Sequence, residues 1–305
     1  MQIFTTVDKL CDKYPNITVA LGTFDGVHLG HQKIIGKAVT LAKAINGTSV
    51  VFTFSNHPLS IVAPERCPSQ IITNEYKADL LRSLGVDILI NIPFTSTLLK
   101  YSPSEFIHLL QTNLKPKHVV VGPNYSFGYK CVGNPDLLAK AGQKENFEVE
   151  VHPAVYLDGD LVSSTLIRKF IAEGNVSESA RLLGRSFRLK GEVVTGDQRG
   201  RMLGFPTANL NIPDNFAVPN NGVYAVRTYF NHLTYNSIAN IGINPTFQGI
   251  NRHIEVHLLE FNDNLYGKTI EVEFLEKIRP EKTFSDIHEL VKQIKYDIEV
   301  AFKYY

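Results

Sequence analysis

The apolar residues of this chain change their spacing near residues 185–188, and that change limits the possible fold more than any other feature. Between residue 17 and about 184, short apolar runs at 17–21, 49–54, 88–92 and 118–121 alternate with stretches of helical spacing at 32–45, 75–84 and 103–114. Alternation of this kind predicts an α/β domain around a mostly parallel sheet. From about Arg188 the pattern turns to short alternating strands at 189–194, 222–230, 254–261 and 269–274. That pattern predicts a small antiparallel barrel, with a long helix at 284–304 packed on it. Two domains are therefore expected, 1–185 and 186–305. No Gly/Ser-rich or Pro-rich linker separates them, so the two are expected to be closely joined.

A chain of 305 residues can bury two cores without disulfides. Its net charge is +1, and the basic residues are scattered instead of forming a stripe, which argues against a nucleic-acid or anionic-membrane surface. Cys11, Cys67 and Cys131 stand far apart with no metal-binding spacing, a pattern suited to a reducing compartment. No apolar run reaches spanning length and the first residues do not read as a leader. The expectation is a cytoplasmic protein that engages neither membrane nor nucleic acid. Nothing in the sequence reports its oligomeric state.

Open parallel sheets bind ligands beyond the C-terminal ends of their strands. Three distinctive segments fall there: 22–31 (Gly22-Thr23-Phe24-Asp25-Gly26-Val27-His28-Leu29-Gly30-His31), 55–58 with Asn56 and His57, and 122–128 with Asn124. In the first, glycines and imidazoles stand between a strand and a helix, where backbone N–H groups converge on an anion. His28 and His31, three residues apart, suit an anionic transition state at a nucleotide α-phosphate. A zinc pair is the alternative, weakened because no further ligand lies at suitable spacing. A second segment strengthens the phosphate reading. Ser163, Ser164 and Thr165 supply hydroxyls at a predicted helix N-cap, with Arg168 one turn in, a donor set for a triphosphate. No Walker A loop competes: Gly267-Lys268-Thr269 matches its end, but Asn262 occupies the glycine position upstream.

Downstream, Gly196, Arg199, Gly200, Arg201 and Gly204 form a loop able to close over phosphates, followed by Phe205-Pro206-Thr207-Ala208-Asn209. Among the alternating strands, Glu255, Glu271 and Glu273 each stand between apolar neighbours, and the pattern alone does not choose a base among them.

Over nearly its whole length the chain resembles the prokaryotic bifunctional riboflavin kinase/FMN adenylyltransferase family, the FAD synthetases. The N-terminal resemblance rests on residues 22–31, 51–58, 122–128 and 163–168. The C-terminal one, the more specific, rests on 191–194, 196–201, 203–209, 222–226, 244–247 and 265–267. The fold it implies is a nucleotidyltransferase-type, Rossmann-like α/β domain with a parallel sheet, then a small antiparallel β-barrel riboflavin kinase domain with a C-terminal helix. The activities it implies are phosphorylation of riboflavin to FMN by ATP, and adenylylation of FMN by ATP to FAD and pyrophosphate.

On the resemblance, Glu255 is the kinase base, and Thr207 and Asn209 are the Mg²⁺ and phosphate positions. His28, His31 and Arg168 serve adenylyl transfer. Gly22, Phe24, Asp25, Gly26, Gly30, Asn56, His57, Asn124, Ser163, Ser164 and Thr165 bind its ATP and FMN. Gly196, Arg199, Gly200, Arg201, Gly204, Phe205, Pro206, Thr207 and Asn209 bind the kinase substrates. Two positions depart from the family pattern. Asn124 stands where many members have Asp, and Ile243 where Thr is commoner; neither removes a phosphate-binding group. A chain with one decayed site, or a flavin sensor without turnover, is disfavoured by the intact His28, His31, Ser164, Thr165, Arg168, Thr207, Asn209 and Glu255.

Overall fold

The computed structural model describes residues 1–305 except 8, 197–199, 201–202 and 247–248; for 244–246 and 249–251 only the backbone is described. Contacts divide the chain into two compact units, Met1–Ser163 and Ser164–Tyr305. The line therefore falls some twenty residues before the change of apolar spacing.

Six parallel strands form the first unit's main sheet: β1 (Gln2–Phe4), β2 (Thr18–Leu21), β3 (Ser49–Phe54), β4 (Ile88–Ile92), β5 (His118–Val121) and β6 (Glu148–Val151), in the order β1-β4-β3-β2-β5-β6. The four central strands are those expected from apolar runs, because strands covered on both faces carry apolar residues without alternation. Val19, Leu21, Val50, Phe52, Ile88, Ile90, Val119 and Val121 form the core with Phe106, Leu110 and Leu138 from the helices. The edge strands β1 and β6 are largely exposed, and Glu148 and Glu150 interrupt the apolar signal of β6. For that reason neither was legible as a buried run.

The helices follow local rules. α1 (Leu29–Ala44) buries Ile35, Ala38, Val39 and Ala42, a stripe at helical spacing. α2 (Leu59–Val62) is a single turn. α3 (Asn74–Ser83) starts at a Thr73 cap, and α4 (Ser96–Leu99) at a Thr95 cap. α5 (Pro103–Asn113) has a Ser102/Glu105 capping box with Pro at its first position. α6 (Pro135–Glu145) starts at an Asn134 cap and stops at left-handed Asn146. A short hairpin, β7 (Tyr156–Leu157) and β8 (Asp160–Leu161), completes the unit.

The second unit opens with α7 (Ser164–Glu173) and α8 (Val176–Leu183). Its closed antiparallel barrel comprises β9 (Phe187–Val194), β10 (Ala208–Asn211), β11 (Gly222–Phe230), β12 (Leu233–Thr246), β13 (Gly249–Leu258) and β14 (Thr269–Arg279), ordered β10-β13-β12-β11-β14-β9. Along β9, buried and exposed residues alternate strictly, the pattern expected of a barrel wall. α8 packs on β9 and β14. At the α7–α8 turn, Gly174 lies so close to the Tyr224 hydroxyl that a Cβ would come within 2.6 Å of it. These contacts group both helices with the barrel although their apolar spacing is that of the α/β region.

β13 ends at Leu258, short of the expected residue 261, because Glu260 takes a left-handed conformation (φ 59°). Phe261 then folds back, edge-on to Phe230 and Tyr235. The final helix, α9 (Ile287–Ala301), is shorter than the spacing predicts, since the Asp286 cap starts it late. Its Asp297 is buried and accepts from both Nε and Nη2 of Arg279 on β14.

Candidate functional site

In the parallel sheet, the chain leaves β2 towards β3 and β4 on one side, then returns to lay β5 along the other side of β2. The crevice at the C-terminal ends of β2 and β5 is therefore the topological switch point, where open α/β sheets bind ligands. Residues 22–31 and 122–128 emerge there.

The turn after β2 is held in an uncommon shape. Phe24 (φ 48°), Gly26 (φ 85°) and Val27 (φ 40°) are all left-handed. For a non-glycine residue this costs about 1–3 kcal/mol, and deep burial of the Phe24 and Val27 side chains opposes the cost. Gly22 is needed because a Cβ there would lie 2.9 Å from the Phe24 ring. His28, in extended conformation, is the N-cap of α1: its Nδ1 accepts from the His31 N–H at 3.2 Å. An accepting Nδ1 puts the proton of the neutral ring on Nε2, which leaves that atom as a donor. The two imidazoles stack at 3.6 Å, 18° from parallel. The Phe24 ring meets His31 edge-on at 5.2 Å. Gly30 gives the His28 ring room, since a Cβ would sit 3.1 Å from it. The HxGH spacing thus has a local reason: an imidazole cap on the first turn, a glycine under it, and a second imidazole stacked over it.

The other residues expected at this end divide by role. Asp25 accepts from the Ile71 N–H through both oxygens, at 3.1 and 3.3 Å. Asn56 clamps the β4 loop, accepting from Phe94 N (2.7 Å) and donating to Phe94 O (3.1 Å). Nδ1 of His57 accepts from Leu59 N. Asn124 is exposed. Ser163 ends the first unit, whereas Ser164, Thr165 and Arg168 stand on α7 in the second.

Lys77, on the buried face of α3, escaped the sequence motifs. It is 6% exposed and donates to the Thr23 carbonyl (3.2 Å) and the Phe54 carbonyl (3.1 Å). Burial pushes its pKa down from 10.5 to about 8, with the Asp25 carboxylate opposing the shift. Its only signal was a lysine at helical spacing four residues before Leu81.

In the barrel, strand register brings the expected residues of the second candidate site together. β10 pairs with β13 so that Ala208 faces Val256 and Asn209 faces Glu255. Ala208, Ile254, Val256 and Leu258 are buried, which puts the Asn209–Glu255 pair on the other face of the wall. Gly196 lies against the Asn209 side chain; a Cβ would come 2.3 Å from its Nδ2. Gly200 accepts from the Phe205 N–H at 2.8 Å, and its own Cβ position is 3.4 Å from the Thr207 Oγ1. Gly204 is left-handed (φ 86°). His257, two residues beyond Glu255, donates from Nδ1 to the Pro206 carbonyl at 2.8 Å and meets the Phe205 ring edge-on. Burial pushes its pKa down, against the bond to Pro206. A cleft of about 530 Å³ opens beside Pro206, Thr207, Ala208, Val256, Leu258 and Tyr266; Thr207 lines it, whereas Asn209 and Glu255 do not. Arg199 and Arg201 lie outside the described residues.

The competing glutamates are otherwise engaged. Glu273 is 7% exposed and accepts from Arg188 (3.0 Å) and the Tyr229 hydroxyl (2.7 Å); Glu271 lies 3.9 Å from Arg188. Among the described residues, no three His, Cys, Asp or Glu side chains cluster as metal ligands.

The FAD synthetase domain family matches residues 12–166 and the riboflavin kinase family matches residues 183–305. Bifunctional riboflavin kinase/FMN adenylyltransferases of Buchnera aphidicola (37% identical; 100% of this chain, 99% of the relative) and Bacillus subtilis (36%; 94% and 92%) align over most of both chains. A crystal structure from Streptococcus pneumoniae described as a macrolide-efflux protein shares the fold end to end, with TM-score 0.89 and 31% identity over 100% of both chains. Its name and those of the sequence relatives disagree. The two domain matches decide for the latter, and no helix among the described residues is long and apolar enough to cross a membrane. The chain belongs to the family of bifunctional riboflavin kinase/FMN adenylyltransferases.

Proposed function

We propose that the chain makes FMN at the barrel and FAD at the end of the parallel sheet, each reaction with its own ATP. The observation that carries this division is that the two larger motif groups stand on different folds, 22–31 with 55–58 beyond β2 and β3, and Thr207, Asn209 and Glu255 on one wall of the barrel; of the 163–168 segment only Ser163 falls in the first unit.

The chemistry matches the residues. In the kinase reaction the ribityl 5′-hydroxyl attacks the γ-phosphorus of ATP and must lose a proton. Glu255 takes it, being a carboxylate beside the phosphate-binding segment. The Thr207 hydroxyl and Asn209 amide oxygen are hard oxygen donors of the kind Mg²⁺ prefers, and the glycines at 196 and 200 leave space that a Cβ would fill. Thr207 and Asn209 would hold the ion. When bound it neutralises charge on the phosphates. His257 holds the Phe205–Thr207 segment through Pro206.

Adenylyl transfer needs no base, because the attacking FMN phosphate oxygen is already an anion. It attacks the α-phosphorus and pyrophosphate leaves. His28 donates from Nε2, and the first turn of α1 adds backbone N–H groups and a positive dipole end. His31, stacked on His28, acts at the same phosphate. Ser163, Ser164, Thr165 and Arg168 are assigned to this reaction on the sequence resemblance; the FAD synthetase match takes in the first three. Asn124 contacts nucleotide or flavin from the loop after β5. A cytoplasmic location fits enzymes that supply flavin cofactors.

Incubation of the chain with riboflavin, ATP and Mg²⁺, followed by chromatography of the flavins, tests this. FMN and FAD are both expected. FMN alone would remove the adenylyl-transfer assignment, and no product would remove both.

A further inference from the structure

We propose that Lys77, in its charged form, is a positioning residue for adenylyl transfer, tying together the loops that follow β2 and β3. The inference rests on the adenylyl-transfer reading of that sheet end.

Its ammonium lies between two backbone carbonyls, Thr23 at 3.2 Å and Phe54 at 3.1 Å. Thr23 opens the turn that carries His28 and His31, and Phe54 ends the strand before Ser55, Asn56 and His57. One side chain therefore fixes the separation of two strand ends that are parallel neighbours but diverge as loops. Two further bonds join the same frame: the Thr53 hydroxyl donates to Thr23 O (2.9 Å), and Asn74, one turn before Lys77 on α3, donates to Ser55 O (2.9 Å). α3 thus grips both loops from one helical face.

The charge matters because bonds from an ammonium to a carbonyl are stronger than those from a neutral amine. Asp25 and His57 are the titratable groups that share its pocket; the other polar residues lining it, Thr23, Ser55, Asn56, Gln70 and Asn74, are neutral. Asp25 favours the ammonium, while burial opposes it and leaves the group titrating near pH 8. Between that value and 10.5 the unfolded chain holds a proton on Lys77 that the folded chain has released. Stability therefore rises with pH across this window. Adenylyl transfer, if it needs the ammonium, falls across the same window by about tenfold per pH unit. A lysine that merely supports the fold would move activity and stability together.

The test uses the full-length chain, as wild type, Lys77→Met and Lys77→Arg, with supplied FMN and ATP between pH 6.5 and 9.5. Riboflavin phosphorylation in the same preparations serves as the internal control. Lys77→Met is expected to lower the adenylylation kcat by about 10- to 100-fold at pH 7, the scale of a small misplacement of reacting groups, with phosphorylation unchanged. Above pH 8 the wild-type adenylylation rate falls while its melting temperature rises relative to Lys77→Met. Lys77→Met shows no such fall, and Lys77→Arg, charged throughout, recovers rate without it. Normal adenylylation by Lys77→Met, or an identical alkaline fall in wild type and Lys77→Met, would overturn the proposal. Should Lys77→Met fail to fold, a wild-type rate flat from pH 7 to 9.5 overturns it alone. Wild type that makes FMN but no FAD would instead strike the underlying adenylyl-transfer reading.

Discussion

The candidate site at the sheet end and the candidate site on the barrel are built differently. Beyond β2, the histidine constellation comes from ten consecutive residues: a left-handed turn, an imidazole cap and a stacked imidazole, all set by the backbone of one strand-to-helix junction. On the barrel, Asn209 and Glu255 stand 46 positions apart in sequence and meet only because β10 pairs with β13 in one register. A slip of one residue would turn Glu255 towards the interior. A contiguous turn fixes its own geometry within a few residues and needs only its supports to the neighbouring loops. A register-built site depends on the whole wall. The contrast also follows the proposed chemistry, since donors suffice for an attacking anion but a hydroxyl needs a placed carboxylate.

The largest effect that can break this comparison comes from separating the units. A fragment Ser164–Tyr305 keeps α7 and α8 on the barrel and should convert riboflavin to FMN while making no FAD at all, as flavin chromatography would show. Production of FAD by that fragment, or a folded fragment without kinase activity, would mean the sites are not divided this way. A fragment starting at residue 186 loses buried Val176, Leu182 and Leu183. At roughly 1.5–3 kcal/mol per buried aliphatic side chain, it should melt well below the longer one.

Next in size is Glu255→Gln. It should cut FMN formation by about 10²- to 10⁴-fold, the usual contribution of a general base, and leave FAD formation from supplied FMN unchanged. Equal loss of both activities would place Glu255 in the fold instead of the chemistry. Glu273→Gln sharpens the contrast, because Glu273 is engaged by Arg188 and Tyr229. It should lower the melting temperature more than it lowers the phosphorylation rate of the folded enzyme.

Smaller still are the imidazole variants. His31→Ala should slow adenylyl transfer by about 10²- to 10³-fold, the scale of a lost transition-state donor, with riboflavin phosphorylation untouched. His28→Ala removes a donor and also the α1 cap, so it should add a stability loss of about 1 kcal/mol. Equal melting temperatures for the two variants would contradict the capping role of His28.

Much of this was legible beforehand. The four central strands of the sheet declare themselves as apolar runs, and the turn after β2 as a glycine- and histidine-rich junction, because both depend on residues adjacent in the chain. Less was legible where exposure hides the pattern. β1 and β6 lie at sheet edges, and β12, broken by Asn236, Asn240 and Asn244, reads as no apolar run at all. Lys77 was missed for a different reason. A lysine on a helix is ordinarily solvated, and nothing local shows that this one meets two carbonyls from strand ends 54 and 23 residues away.

By itself the sequence determined that an α/β unit precedes an alternating-strand unit, where the candidate phosphate-binding turns begin, and which residue types they carry. These depend on spacing, glycine and capping, which act within a few residues. Only the tertiary structure decided which of three glutamates stands beside Asn209, that α7 and α8 group with the barrel, and that a buried ammonium joins two loops. Those outcomes depend on strand register and burial, which arise only when distant segments pack.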